Sequence, residues 1–198
     1  MSHKLGAFSL IELVVTMAII MVLYFIMLGP RSKAGQARRK AACASNLAQM
    51  QATLSLFAAE HDGTFPVVAA ATSSEAPLSE LVPHYTTDTS IFICPGSKSS
   101  ALPGAQPFAD RRISYAYYMG LRREAPAETP LVSDAQIDTH PKRLGDALFS
   151  VNGNAPGNNH RAYGGSILFV DGHVETGGAT ATRDLAIPTG VVLLNPKR

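Results

Sequence analysis

The chain contains no tryptophan, only two cysteines and almost no net charge. Its 198 residues carry 17 Lys and Arg against 15 Asp and Glu, for a formal charge of +2. A dedicated nucleic-acid-binding protein neutralises many phosphates and is usually far more basic, so nucleic acid is not an expected partner. The length suffices for one apolar helix and one modest globular domain, which excludes a large enzyme.

Recognisable catalytic motifs are also missing. The sequence has no Gly-x-Ser-x-Gly elbow, no phosphate-binding loop and no zinc-protease helix motif. It has no internal repeat and no acidic, oxygen-rich loop of the kind that binds calcium. We therefore expect a protein that is not an enzyme and that carries no cofactor.

What the sequence does contain is a long apolar run with one acid in it. The segment from Phe8 to Leu28 can span about 30 Å of hydrocarbon at about 1.5 Å per residue, and Glu12 is its only charged residue. An ionised side chain inside a spanning helix costs about 2.5 to 3.5 kcal/mol, so such residues usually have a partner. We predict a membrane helix over residues 8–30, with Glu12 as a functional residue.

A short basic leader precedes this run. The sequence KLGAFSLIEL, which starts at Lys4, resembles the processing site of type IV prepilins and type II secretion pseudopilins. The resemblance implies that a prepilin peptidase removes residues 1–7 by cutting between Ala7 and Phe8, and that the new amine of Phe8 is methylated. A cut after Gly6 is the alternative, and it would place Glu12 one position out of register.

After the cut at Ala7, Glu12 is the fifth residue and lies one helical turn from the amine of Phe8. In a filament of stacked helices, Glu12 of one subunit can neutralise the Phe8 amine of its neighbour. Only one axial offset satisfies both charges in a low-dielectric core. We predict that Glu12 sets the register of assembly; the alternative is that it lies near the membrane edge, solvated beside Lys4.

The charges around the helix oppose the orientation that the resemblance implies. Lys4 stands alone before the helix, whereas five basic residues follow it: Arg31, Lys33, Arg38, Arg39 and Lys40. The positive-inside rule would place the large domain in the cytoplasm. A conventional secretory signal fits poorly, because no small-x-small cleavage site follows the apolar run. The processing motif instead implies a single-pass protein of the bacterial inner membrane, with a cytoplasmic leader and a periplasmic head.

We predict an amphipathic helix over residues 31–61, after a break at Gly29-Pro30. Apolar residues recur at steps of four and three and form one seam: Cys43, Leu47, Met50, Leu54 and Phe57. Turn residues end the helix near Glu60. The stretch from Asn46 to Pro66 also resembles the region in which pseudopilin helices enter the head.

We predict that residues 62–198 form a small globular head. We expect a short helix over 78–85, strands over 90–94, 113–119 and 130–133, and loops over 97–107 and 151–159. The predicted fold class is therefore α+β and pilin-like: a long N-terminal helix, half membrane-embedded and half amphipathic, packed on a small antiparallel sheet.

The clearest signal in the head is the sequence SILFVDGHVET, over residues 166–176. Asp171-Gly172 lies between two β-prone arms, which predicts a hairpin. With His160 and His173, this stretch resembles a carboxy-terminal motif of pilin-like proteins of planctomycete and verrucomicrobial type, in which a His precedes Asp-Gly-His-Val. Here the spacing between His160 and Asp171 is one residue longer than in that pattern.

Four head residues offer imidazole or carboxylate groups that suit zinc or acid–base chemistry: His160, Asp171, His173 and Asp134. A simpler interpretation assigns Asp171 to the turn, His173 to an exposed strand position and His160 to a hydrogen-bonding loop. We predict no metal site and no catalytic residue among them.

The two cysteines are predicted to face the same core. Cys43 lies on the helical seam, and Cys94 lies at the end of a predicted strand. In an oxidising periplasm, a disulfide between them would close a loop of about 50 residues and stabilise the fold by about 4 kcal/mol. Two unpaired buried thiols are the alternative.

These patterns together predict a structural subunit of a type IV pilus-like or type II secretion pseudopilus filament, in the cell envelope or at the surface. Its expected partners are further copies of itself, other pilin-like subunits, the prepilin peptidase, the inner-membrane assembly platform and membrane lipid. A membrane-tethered binding module, whose head recognises a secreted substrate, a surface or DNA, is the alternative. A membrane-anchored hydrolase that uses His160 and Asp171 is a third and weaker hypothesis.

Overall fold

The computed structural model describes residues 9–27 and 33–198. The predicted cleavage site at Ala7 and Phe8 and the predicted break at Gly29-Pro30 lie outside the described residues. The chain divides into two compact units. The first ends at Ala37, and the second runs from Arg38 to Arg198.

The first unit contains helix α1, Leu10–Met27. Its large apolar side chains are exposed, from Leu10 at 81% to Phe25 at 68%. Glu12 lies in the first turn of α1 and is also exposed. Within the described residues, no helix combines the length and the apolar character needed to cross a membrane.

Helix α2, Lys33–Glu60, carries the predicted seam. Every residue of that seam is buried: Cys43, Leu47, Met50, Leu54 and Phe57. The helix ends at Glu60 because Gly63 adopts a left-handed conformation, with φ +77°, and donates its N–H to the carbonyl of Ala58 at 2.8 Å. The seam and the end of the helix are therefore confirmed.

The head contains one sheet of five strands: β1 Tyr115–Met119, β2 Pro130–Asp134, β3 Gly165–Phe169, β4 Val174–Gly177 and β5 Val192–Leu194. The strand order is β4-β3-β2-β1-β5, and every neighbouring pair is antiparallel. Helix α2 contacts the sheet, for example where Cys43 Sγ lies 3.2 Å from the hydroxyl of Tyr115. The α+β fold, with an N-terminal helix on an antiparallel sheet, is confirmed.

Both faces of the central strands are covered. One hydrophobic cluster joins the α2 seam to Tyr117, Val132 and Leu168 of the three central strands. Ile167 and Phe169 alternate with Leu168 along β3 and belong to a second cluster. This burial explains why β2 and β3 are buried along their whole length.

Two predicted strands and the hairpin are confirmed. The ranges 113–119 and 130–133 correspond to β1 and β2, and β3 pairs with β4 around Asp171-Gly172. The edge strand β5 is absent from the prediction, because its three residues are too short to show an alternating pattern.

Two other local predictions are wrong. The range 90–94 is not a strand, because Asp88 caps a 3₁₀ helix over Thr89–Phe92 by accepting the backbone N–H of Ser90 at 2.9 Å. The helix expected over 78–85 is displaced towards the N-terminus, since α3 spans Glu75–Ser79. Pro83 has no backbone N–H and does not favour a helix over the predicted range.

Candidate functional site

The structure separates the candidate residues of the head into two places. Asp171, Gly172 and His173 lie in the turn between β3 and β4, where each is at least partly exposed. His160 is completely buried, in the loop that precedes β3. The predicted motif residues therefore do not form one site.

Asp171 organises the hairpin turn. Its Oδ1 accepts the backbone N–H of His173 at 3.0 Å and lies 2.6 Å from His173 Nδ1. The backbone N–H of His173 makes the largest contribution to lowering the pKa of Asp171 below its usual value. The His173 ring stacks on Phe169 with centroids 4.3 Å apart, and Gly172 adopts φ +94°. These contacts are those of a structural turn.

Cys43 and Cys94 are joined by a disulfide, with their Cα atoms 5.3 Å apart. Cys43 lies on α2, and Cys94 follows the 3₁₀ helix by two residues. The bridge links segments separated by 51 positions, and both cysteines are buried. It ties α2 to the core of the head.

Two ionisable side chains end beside the sulfur atoms. His160 Nε2 lies 3.2 Å from Cys94 Sγ and 3.4 Å from Asp134 Oδ2. Asp134 Oδ1 in turn lies 3.6 Å from Cys43 Sγ. Asp134 and His160 are both completely buried. Cys43, Cys94, Asp134 and His160 thus form a buried cluster.

The sheet and its neighbouring loops hold the carboxylate of this cluster. Asp134 is the last residue of β2, and its two oxygens each accept a hydrogen bond. Asn159 Nδ2 donates to Oδ1 at 2.7 Å, and the backbone N–H of Ser166 donates to Oδ2 at 2.8 Å. Asn159 Nδ2 also donates to the carbonyl of Ser114 at 2.7 Å, which fixes the orientation of the amide.

Each sulfur atom also has a polar neighbour. The backbone N–H of Gly96 donates to Cys94 Sγ at 3.3 Å. The hydroxyl of Tyr115 lies 3.2 Å from Cys43 Sγ and accepts a hydrogen bond from Asn46 Nδ2 at 3.4 Å, so its own proton is free to point at the sulfur. Burial raises the pKa of Tyr115 far above its usual value, and the hydroxyl therefore keeps that proton.

Lys40 supplies a positive charge close to the buried cluster. Its ammonium group donates to the carbonyl oxygens of Gly177 at 2.7 Å and Tyr163 at 2.9 Å. Burial lowers the pKa of Lys40, and the carboxylate of Asp134 opposes that effect. The lysine thus offsets part of the negative charge that Asp134 brings into the core.

The arrangement stabilises the fold through its disulfide and would offer two thiolate ligands to an ion only with that bond reduced. It cannot contact a substrate, because none of its four residues is more than 1% exposed. One donor atom from each residue lies within 4.8 Å of all the others. Two sulfurs, an imidazole nitrogen and a carboxylate oxygen are a donor set that suits zinc. In the ranges 9–27 and 33–198, this is the one group of three or more such residues that could hold a metal ion.

No sequence pattern connects the two cysteines with His160 and Asp134. The four residues lie at positions 43, 94, 134 and 160, so they show none of the short ligand spacings that identify zinc modules. The order of the strands brings them together. A correct strand order would therefore have been needed to predict that these four residues meet.

A second feature of the head is a cleft of about 910 Å³. Its described lining contains six basic side chains and no acidic one: Arg39, Lys98, Arg112, Arg161, Lys197 and Arg198. Of these six, only Lys197 has a carboxylate within 4.0 Å among the described residues, that of Asp110 at 3.9 Å. This cationic cleft presents a positive surface to solvent.

Glu12, the remaining predicted site residue within the described part of the chain, is the only acidic residue of α1. Its backbone N–H donates to the carbonyl of Ser9 at 3.0 Å, in the first turn of the helix. A carboxylate in this position also interacts favourably with the positive end of the helix dipole.

Comparison of the chain with protein-family models, curated proteins and solved structures gave no match.

Proposed function

We propose that this protein is a structural subunit of a type IV pilus-like or type II secretion pseudopilus filament. The observation that carries the proposal is α1, an 18-residue helix with exposed apolar side chains and one acid in its first turn. An apolar surface of this kind needs a partner. Identical helices of neighbouring subunits are a partner of matching chemistry.

Glu12 would fix the axial offset at which such helices pack against each other. A carboxylate in an apolar bundle is costly unless it is paired, so helices would settle where each Glu12 meets a positive charge. Cleavage after Ala7 would create that charge as the α-amine of Phe8. The prepilin peptidase and an inner-membrane assembly platform are therefore the expected partners, together with other pilin-like subunits and membrane lipid.

The head supports an orientation in which it leaves the cytoplasm. The Cys43–Cys94 disulfide favours an oxidising compartment, and the periplasm is such a compartment. In this proposal the leader stays in the cytoplasm, and the predicted span over residues 8–30, which extends beyond α1 at both ends, first resides in the inner membrane. The head folds in the periplasm before α1 enters the filament.

The test measures how Glu12 variants are distributed between membranes and sheared fibres. We expect Glu12→Ala and Glu12→Gln to reach the membrane at wild-type levels and to be depleted at least tenfold from the sheared fraction. Glu12→Gln keeps the shape of the side chain and removes the charge. Thr16→Val is the matched control, because it removes a polar group from the same helix without changing its charge.

The proposal makes the charge of Glu12 responsible for assembly. Wild-type amounts of both Glu12 variants in sheared fibres would contradict it. Equal loss of Thr16→Val would indicate that any change to α1 disrupts packing, and would likewise contradict a specific role for the carboxylate.

The cationic cleft favours a second candidate, a tethered module that binds an anionic ligand. Fluorescein-labelled heparin is a suitable polyanion probe, and we expect it to bind the wild-type chain less tightly as salt increases. Arg112→Ala with Arg161→Ala should weaken binding, whereas Arg123→Ala, which lies outside the cleft, should not. Equal affinity in all three proteins would exclude the cleft as a binding site.

A further inference from the structure

We propose that the buried cluster of Cys43, Cys94, Asp134 and His160 binds one zinc ion when its two cysteines are reduced. The disulfide and the metal are then alternative ways of closing the same site. The inference does not depend on the function proposed above, because it concerns only residues of the second unit, Arg38 to Arg198.

The disulfide alone does not account for the two ionisable side chains beside it. A buried carboxylate and a buried imidazole each carry a desolvation penalty, and the core could accommodate the disulfide among apolar side chains at lower cost. His160 Nδ1 has no hydrogen-bond partner among the described residues, although it is fully buried. The opposite nitrogen, Nε2, faces Cys94 Sγ and Asp134 Oδ2. The imidazole is therefore oriented by the cluster.

The distances between the four donor groups are close to those around a tetrahedral metal ion. Tetrahedral zinc with bonds of about 2.3 Å to sulfur and about 2.0 to 2.2 Å to nitrogen and oxygen places its ligand atoms about 3.3 to 3.8 Å apart. The distance from His160 Nε2 to Asp134 Oδ2 is 3.4 Å. The distance of 3.6 Å to Cys43 Sγ is made by the other carboxylate oxygen, Oδ1. His160 Nε2 to Cys94 Sγ is 3.2 Å. Zinc binding would require the two sulfur atoms to separate once their bond is broken and the carboxylate to turn so that one oxygen faces the metal. The distance from His160 Nε2 to Cys94 Sγ would lengthen by about 0.3 Å.

Three of the four donor residues already have supporting partners, and His160 is the exception, because its Nδ1 has none among the described residues. Zinc ligands are usually held by hydrogen bonds from surrounding groups. Both oxygens of Asp134 accept such bonds, and each sulfur has a polar neighbour: the hydroxyl of Tyr115 for Cys43 and the N–H of Gly96 for Cys94. Two thiolates and one carboxylate bring three negative charges. Zinc balances two of them, and Lys40 lies close enough to act on Asp134.

The chemistry of the exchange is a reduction followed by metal binding. A phosphine reductant breaks the sulfur–sulfur bond, takes the oxygen atom of one water molecule and becomes a phosphine oxide. The two hydrogens of that water are transferred to the sulfur atoms of Cys43 and Cys94, which become thiols. Zinc then displaces both thiol protons to solvent and binds the thiolates with His160 Nε2 and one oxygen of Asp134.

The test uses the full chain in detergent, reduced with a phosphine that has no thiol of its own. Cobalt(II) serves as the spectroscopic probe, and zinc is then added to displace it. We expect one cobalt ion per chain, a sulfur-to-cobalt charge-transfer band and the strong visible absorption of tetrahedral cobalt. The oxidised chain should show none of these signals.

Variants separate this site from other metal-binding groups. Cys43→Ser with Cys94→Ser should abolish the charge-transfer band, and Asp134→Asn should weaken cobalt binding at least tenfold. Tyr115→Phe, which removes only a neighbour of Cys43 Sγ, should weaken it by about tenfold or more. His173→Ala is the control, because this histidine lies outside the cluster, and its spectrum should match that of the wild type.

Circular dichroism accompanies each titration, so that loss of folding is distinguished from loss of a ligand. A reduced wild-type chain without the charge-transfer band, whether folded or unfolded, would overturn the proposal. A band that persists in the double cysteine variant, or that disappears in His173→Ala, would overturn it as well.

Discussion

His160 Nε2 lies 3.2 Å from Cys94 Sγ, although 66 positions separate the two residues in the sequence. This approach depends on Gly96, which lies against His160 and the backbone of Asn159. A Cβ atom at position 96 would lie 2.5 Å from His160 Nδ1 and 2.5 Å from the carbonyl oxygen of Asn159. One clash involves backbone, so the neighbouring loop would have to move.

Gly96→Ala should therefore destabilise the head by about 1–3 kcal/mol, the usual cost of overpacking a core. Gly104→Ala is a matched control, because no atom lies within 4 Å of a Cβ at that position. Urea unfolding followed by circular dichroism measures both. Equal midpoints for the two variants would show that the loop around His160 adapts freely.

The α2 seam should dominate the attachment of the helix to the sheet. Leu47 is completely buried, so Leu47→Ala should cost about 2–5 kcal/mol of unfolding free energy. Leu56 lies on the same helix and is 57% exposed. Leu56→Ala should change stability by no more than about 0.5 kcal/mol. A cost for Leu56→Ala as large as that for Leu47→Ala would contradict the described orientation of α2.

Reduction in the absence of metal should lower the free energy of unfolding by about 4 kcal/mol, because the bridge closes a loop of 51 positions. Chelator-treated protein, with and without phosphine, provides the comparison. The double variant Cys43→Ala with Cys94→Ala should not respond to the reductant. If the unfolding free energy of the wild-type chain also did not change with reductant, the bridge would be absent or would not contribute to stability.

The hairpin turn should contribute a small, pH-dependent stabilisation. Its Asp171 has a lowered pKa in the folded chain, chiefly because it accepts the backbone N–H of His173. The stabilisation is therefore present above the unfolded pKa, about 3.9, and is lost as the pH falls through the lower folded value. Carbon NMR of the Asp171 carboxyl measures its titration directly. A midpoint at or above the unfolded value would contradict this account of the turn.

The elements that could be predicted from the sequence are those whose signals are local. The α2 seam repeats at helical spacing, and Asp171-Gly172 marks a turn by the chemistry of two adjacent residues. The 3₁₀ helix at Thr89–Phe92 lacks a sequence signal, because the hydrogen bond that Asp88 accepts from the backbone N–H of Ser90 outweighs the β propensity of the apolar residues that follow. Propensity alone does not include such side-chain caps.

The buried cluster could not be predicted for a different reason. Its residues come from α2, the segment after the 3₁₀ helix, the end of β2 and the loop before β3. Only the strand order β4-β3-β2-β1-β5 places Asp134 next to the loop that carries His160. The cysteines could be assigned to a common core, and His160 and Asp134 could be named as possible ligands, but no sequence pattern joins these two pairs of residues.

Mass spectrometry of sheared surface fibres tests the proposed filament function most directly, because it examines processing and assembly in the same material. The account predicts that the fibres contain this chain and that its first residue is Phe8, carrying a methyl group on the amine. Absence of the chain from the fibres, or an intact Met1 or Ser2 terminus in assembled material, would contradict it.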